Sequence, residues 1–271
     1  MHKKTCFTVL CFFTALLFLG SCRQQDLPQQ LYSLTFSPAE IQDIEIEAQK
    51  IPINIVPSDD TDVHITYSDF IGENKKMDIR MENGVLTISS QSKAYTGNIA
   101  IALPTGCALD FNAFNTDFSL QDVSGDISIK TVDGDISAKN IEGSFVLRSG
   151  RGNITIADSQ GDIAVLGEHG VISLNSLHGD IDSSNVIGTI QFTGQVLEGD
   201  AIFLETDHGA VTATLLDSEE AFINLWTANG TVICMLPQVE TTNITCKREP
   251  TSSVGSFQIK TVWGPIKVTE E

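Results

Sequence analysis

The stretch Ser124-Gly125-Asp126-Ile127-Ser128-Ile129-Lys130-Thr131-Val132-Asp133-Gly134-Asp135-Ile136-Ser137-Ala138 holds two copies of one short pattern, a glycine followed by apolar residues two and four positions later. The glycines are nine residues apart, and the spacing continues unbroken through Gly143, Gly152, Gly161, Gly170, Gly179 and Gly188. Two residues after each glycine stand Ile127, Ile136, Phe145, Ile154, Ile163, Ile172, Ile181 and Ile190. Four after stand Ile129, Ala138, Leu147, Ile156, Val165, Leu174, Ser183 and Phe192, apolar in all but one case. A turn followed by apolar residues at alternate positions is a short strand with one buried face. Nine residues make one turn and one strand.

The residue three before each glycine sorts the turns into two classes. Thr131, Ser149, Thr206, Thr227 and Thr261 put a hydroxyl ahead of Gly134, Gly152, Gly209, Gly230 and Gly264, whereas Asp122, Asn140, Asp158 and Asn185 precede Gly125, Gly143, Gly161 and Gly188. From Gly125 to Gly161 the classes alternate, so the structural period is about 18 residues, lengthening to 21 between Gly209 and Gly230. The fold expected is all-β: a single-chain parallel β-solenoid, or β-helix, with coils of about 18–21 residues stacked at about 4.8 Å. Ile127, Phe145, Ile163 and Ile181 then share one inner column, and Asp, Ser, Thr and Asn form outer ones. Looser copies occur at Gly199, Gly209, Gly230 and Gly264, and upstream at Gly84 and Gly97. Helical periodicity with caps is missing throughout; residues 38–49 fit a strand or a single turn.

Upstream of the repeats, His2, Lys3 and Lys4 precede an apolar run from Phe7 to Leu19, short for a membrane span and suited to an export signal. The run ends Leu19-Gly20-Ser21-Cys22, which resembles a bacterial lipobox. The expected organisation is a lipoprotein signal peptide at 1–21, a polar tether at 22–33 and a solenoid at 34–271, with opening strands at 34–104 and regular repeats at 105–271. Acyl chains on Cys22 would hold the protein at a membrane without spanning it.

Acidic residues outnumber basic ones 35 to 16, giving a formal charge of −19, which becomes −21 once Lys3 and Lys4 leave with the signal. No nucleic-acid partner is expected, because a phosphate backbone requires a basic stripe. Hydrophobic residues at 41% against 19% charged indicate a folded chain rather than a disordered acidic one.

The repeats Ser124-Gly125-Asp126-Ile127-Ser128-Ile129 and Val132-Asp133-Gly134-Asp135-Ile136 resemble those of the "putative-adhesin", LiaG-like bacterial domains of unknown function. Ile44-Glu45-Ile46 through Val63-His64-Ile65-Thr66-Tyr67, then Gly84-Val85-Leu86-Thr87-Ile88, then Ile99-Ala100-Ile101-Ala102-Leu103-Pro104 look like that family's opening strands. The resemblance covers most of the mature chain. It implies a β-helical envelope protein and supplies no catalytic residues.

Candidate chemistry is sparse. Calcium-binding nonapeptide rolls need Gly-Gly-x-Gly-x-Asp, whereas here each unit has one regular glycine, and Asp follows it only at Asp126, Asp135, Asp162 and Asp180. These carboxylates are the candidate acid and base of a carbohydrate-active β-helix enzyme, yet the repeats offer only Arg148 and Arg151 as partners and almost no long loop. His169, His178 and His208 each precede a motif glycine, at spacings that match no recognised metal site. Trp226 and Trp263 are candidates for stacking on sugars, and rim or core residues on the plainer reading. The Asn-x-Thr triplets at Asn153, Asn229 and Asn243 carry little weight beside a bacterial lipobox. Cys107, Cys234 and Cys246 form no zinc pattern. Cys234 and Cys246 should both point inward as small buried hydrophobes, with no essential disulfide.

The function expected is that of a non-enzymatic, lipid-anchored envelope protein on the extracytoplasmic side, an adhesin-like or structural interaction module with a protein or glycan ligand and no cofactor or metal. The alternative is an envelope-stress or assembly component binding another envelope protein. In either case a strand face or turn edge would be the working surface.

Overall fold

The structure is a computed structural model that describes residues 29–47, 51–70, 77–90, 97–216, 218, 220–250 and 255–271. The leader, Cys22 and the first part of the tether lie outside the described residues. In chain order the first strands are β1 (Gln29–Phe36), β2 (Asp43–Ile46), β3 (Ile53–Pro57), β4 (Val63–Phe70), β5 (Met77–Glu82), β6 (Val85–Ser90) and β7 (Ile99–Leu103). The regular repeats form β8 (Cys107–Asn115), β9 (Phe118–Gln121), β10 (Ser124–Asp133), β11 (Ile136–Lys139), β12 (Glu142–Arg151), β13 (Ile154–His178), β14 (Asp180–Gly194), β15 (Ala201–His208) and β16 (Val211–Leu215). Last come β17 (Phe222–Asn229), β18 (Val232–Met235), β19 (Glu240–Thr241), β20 (Thr245–Arg248), β21 (Ser256–Trp263) and β22 (Ile266–Glu270). A single 3₁₀ turn, Pro38–Glu40, stands where the sequence allowed a turn, and β2 follows it.

The strands wind into a solenoid with two faces. On the first, β8, β10, β12, β13, β14 and β15 pair in parallel in that order, each a coil above the last. Ile127, Phe145, Ile163 and Ile181 fall in one register column, as the period of 18 requires, and all four are buried. The second face carries β9, β11, part of β13, part of β14 and β16. Between the faces runs one continuous apolar core of Ile, Leu, Val and Phe, built from the inward residue of every alternating pair.

At both corners the motif glycines stack, and there close approach excludes a side chain. At Gly143, φ is +129°, and an added Cβ would sit 2.3 Å from the Gly125 carbonyl oxygen of the coil below.

Both ends depart from chain order. β2 pairs in parallel with β6 on one side and β8 on the other, and β3 likewise lies between β7 and β9. The coil β2–β3 is therefore threaded between β6–β7 and β8–β9. At the far end β21 lies between β15 and β17, and β22 between β16 and β18, so the last coil is inserted one step before the end. The copies at Gly209, Gly230 and Gly264 are thus not successive coils: Gly264 stacks on Gly209, and Gly230 stacks on Gly264.

Antiparallel strands close each end. β5 joins β6 through a tight turn whose central residues, Asn83 and Gly84, have φ of 53° and 83°, the left-handed pair that such hairpins require. β4 covers β7, and β1 covers β4. β1 begins at Gln29, so residues 29–33, assigned to the tether by their polarity, belong to a paired strand; Tyr32, Leu34 and Phe36 pack on the core at alternate positions. At the other end β20 folds back antiparallel on β17.

This fold-back corrects the expectation for the cysteines. Cys234 and Cys246 form a disulfide with a Cα–Cα distance of 6.3 Å. Both occupy inward positions as read from the sequence, but β20 caps the last coil, so the two thiols meet across the end of the core. Cys107 remains free and buried, and burial pushes its thiol pKa up.

Candidate binding edge

The two corners of the coil differ in chemistry. At the corner before Gly125, Gly143 and Gly161, the residues Asp122, Asn140 and Asp158 have φ of 58°, 53° and 52°, a conformation that Asp and Asn tolerate better than most. Asn140 Nδ2 donates to Asp122 Oδ1 of the coil below at 2.7 Å. This edge is polar and acidic.

At the opposite corner the buried hydroxyls explain the second class of turn. Ser149 Oγ donates to the Gly134 carbonyl at 2.8 Å, and Thr227 Oγ1 donates to that of Gly264 at 3.0 Å. Where the series breaks, Asn185 Nδ2 takes over the same role, donating to the Gly170 carbonyl at 3.0 Å. Just past the glycines a second ladder caps backbone amides. Asp117 Oδ1 accepts from the Asp135 N–H, Asp135 Oδ1 from that of Asn153, and Asn153 Oδ1 from that of Val171, at 2.9, 2.6 and 3.0 Å. Asp135 is thereby a structural residue.

The outside of this second edge carries apolar and basic side chains beside the acidic Asp133 and Glu168. Asp133, Arg151, His169, Ile187, His208 and Trp263 follow one another in register on successive strands. Ile187 is 50% exposed and Trp263 54%, with the His208 ring stacked on the Trp263 ring at 6.4 Å between centroids. Beside this column a groove of about 670 Å³ runs along the solenoid axis, lined by Lys130, Arg148 and Leu166 on one side and Val132, Arg151, Glu168 and Val186 on the other. Gly150, with no side chain, exposes backbone in it. Arg151 Nη2 is 3.1 Å from Asp133 Oδ2, which fixes the guanidinium at the rim.

The other candidates disperse. Asp126 and Asp162 lie in one outward row of the first face, on either side of Ser144, all exposed. Asp180 continues that row by the same period. His178 is on the acidic edge, 3.5 Å through Nδ1 from the buried Asp200, which accepts the backbone N–H groups of Gly179 and Leu197 at 2.7 and 2.8 Å. His169 and His208 share the opposite edge but are separated by the strand that carries Ile187. Among the described residues no group of three or more His, Cys, Asp and Glu side chains converges as metal ligands would. Insertion of the last coil places Trp226 and Trp263, 37 positions apart in sequence, on the paired strands β17 and β21, with Trp226 opposite Lys260 on the face and Trp263 at the corner. The groove escaped the sequence reading. Its signal is there, in Gly150, a glycine outside the nine-residue series that stands between Arg148 and Arg151.

Residues 41–269 match the family described as Toastrack DUF4097, and the chain belongs to it. Among solved structures, one described as a "putative adhesin" from Bacteroides fragilis is similar over 89% of this chain and 97% of its own, at 13% identity and a TM-score of 0.53, and it shares the fold. A second, also described as a "putative adhesin", from Parabacteroides merdae, matches 89% of this chain and 96% of its own at 12% identity and a TM-score of 0.41. No curated protein matches the sequence significantly.

Proposed function

We propose that the protein is a lipid-anchored interaction module of the bacterial envelope, adhesin-like and without catalytic chemistry, held at the extracytoplasmic side by acyl chains on Cys22. Its working surface is the edge that carries Val186, Ile187, His208 and Trp263. The observation behind this reading is the contrast between the two edges: exposed apolar side chains and cations gather along one corner of an otherwise acidic solenoid. Contiguous exposed apolar surface of this kind marks interaction sites, and the repeat multiplies weak contacts along one axis. The carboxylates read as candidate catalysts support the non-enzymatic reading, since Asp135 is used in a backbone ladder and Asp126 and Asp162 stand open on a flat face.

The test has two arms. Cys22→Ser should move the protein from the membrane to the soluble fraction or leave it unprocessed, and an unmodified Cys22 at the mature N-terminus by mass spectrometry would contradict the anchor. In the unacylated Cys22→Ser protein, Ile187→Glu with Trp263→Ala should abolish sedimentation with isolated envelopes while leaving the melting temperature unchanged. Undiminished sedimentation would contradict the choice of edge.

A further inference from the structure

We propose that the groove beside this edge is a subsite for a linear acidic glycan, one with a carboxylate on successive sugar residues. The inference rests on the reading of this edge as the working surface and names its ligand class. Charge distribution is the first argument. Between Cys107 and His208 the chain has 16 Asp and Glu but only four Lys and Arg, namely Lys130, Lys139, Arg148 and Arg151. Three of these four line the one groove, where they outnumber its one carboxylate, Glu168. In a protein this acidic, such a gathering opposes the general field and favours an anion at that place.

Geometry then selects among anions. Lys130 and Arg148 are direct register neighbours on β10 and β12, so their stems leave the sheet about 4.8 Å apart. Arg151, held by Asp133 across the groove, offers the remaining face of its planar fork, a donor arrangement matched to carboxylate. Successive carboxylates of a linear uronate chain turn to different sides of its axis, and cations standing on both sides of the groove, Lys130 and Arg148 on one and Arg151 on the other, meet them there. Val132, Leu166 and Val186 supply aliphatic walls for the C–H faces of the rings, and the bare backbone at Gly150 leaves depth for them.

The experiment is isothermal titration of the full-length lipoprotein in detergent with a galacturonate hexamer, with a neutral galactose hexamer and a polyglutamate peptide as parallel probes. Galacturonate should bind with an affinity that falls as salt rises. Lys130→Gln and Arg148→Gln should each weaken binding about tenfold, and Lys139→Gln, the cation on the other edge, should leave it unchanged. All three side chains are exposed, so the variants should melt as the parent does. Equal binding of the neutral hexamer, tighter binding of polyglutamate, an equal loss in Lys139→Gln, or no galacturonate binding would each overturn the proposal. If galacturonate fails while envelope sedimentation still depends on Ile187 and Trp263, only the ligand class is wrong. If both fail, the choice of edge falls as well.

Discussion

The middle of the solenoid and its two ends are built from the same strand unit and assembled by different rules. From β8 to β16 each coil rests on the one before it in sequence, and period, register and glycine stacking all keep step. At each end the chain goes one step out, returns, and inserts a coil behind itself, so that β2–β3 and β21–β22 are flanked by coils far from them in sequence. The difference has a physical logic. A stack of open coils exposes unpaired strand edges and apolar ends, and threading the first and last coils inward leaves hairpin strands outermost as covers. The middle is therefore held by local stacking, and the ends by long-range pairing plus one disulfide.

The largest expected effect lies in the middle. Ile163 is 1% exposed, in the centre of its column, and Ile163→Asp buries a carboxylate without a partner at a cost of several kcal/mol. Thermal melts should show little or no folded protein. Asp162→Ala, one residue away and facing solvent, should cost less than about 1 kcal/mol. Equal losses would mean that the inward face is misassigned.

Next comes the glycine stack. Gly143→Ala drives a Cβ against the carbonyl of Gly125 and should cost about 3 kcal/mol by denaturant unfolding. Gly199→Ala, where φ is also positive at +87° but nothing lies within 4 Å, should cost only about 1 kcal/mol, the strain of the backbone alone. A reversed order would remove the distinction between stacked and loop glycines.

The disulfide sharpens the contrast at the far end. It closes a loop of 12 residues, and Cys234→Ser with Cys246→Ser should cost about 2–3 kcal/mol. Hydrogen exchange should accelerate in β17, β18 and β20 before it does in β10 to β13. Uniform acceleration would mean that the end and the middle unfold as one unit.

The smallest effect concerns Cys107. Burial raises its thiol pKa, so at mildly alkaline pH it holds less reactive thiolate than an exposed cysteine. Maleimide should label it slowly in the native protein and rapidly after unfolding. Rapid native labelling would show the start of β8 to be open.

What the sequence disclosed follows the same division. The nine-residue series places the inward residues two and four after each glycine in β10 to β14, and the residue three before it marks the corner, because a buried hydroxyl and a left-handed Asp or Asn do different work. Coil order at the ends is not encoded in this pattern. Gly209, Gly230 and Gly264 share one pattern, Thr three before and apolar residues two and four after, which says that each strand stacks but not upon which neighbour. β1 was hidden by Gln29 and Gln30, polar residues at the start of a strand whose alternation shows only at Tyr32, Leu34 and Phe36. The groove depends on the side chain missing at Gly150, and a search for periodic glycines passes over it.

Threading of the last coil is the claim on which the ends, the disulfide and the pairing of β17 with β21 all depend. Thr212 on β16 is in register with Lys267 on β22, which is in turn in register with Ile233 on β18; all three residues are exposed. Cysteine pairs placed at 212 and 267, or at 267 and 233, should form disulfides under mild oxidation in the native protein, and a pair at 212 and 233 should not. Efficient bridging of 212 to 233 with none between 212 and 267 would put the coils in chain order and contradict the account.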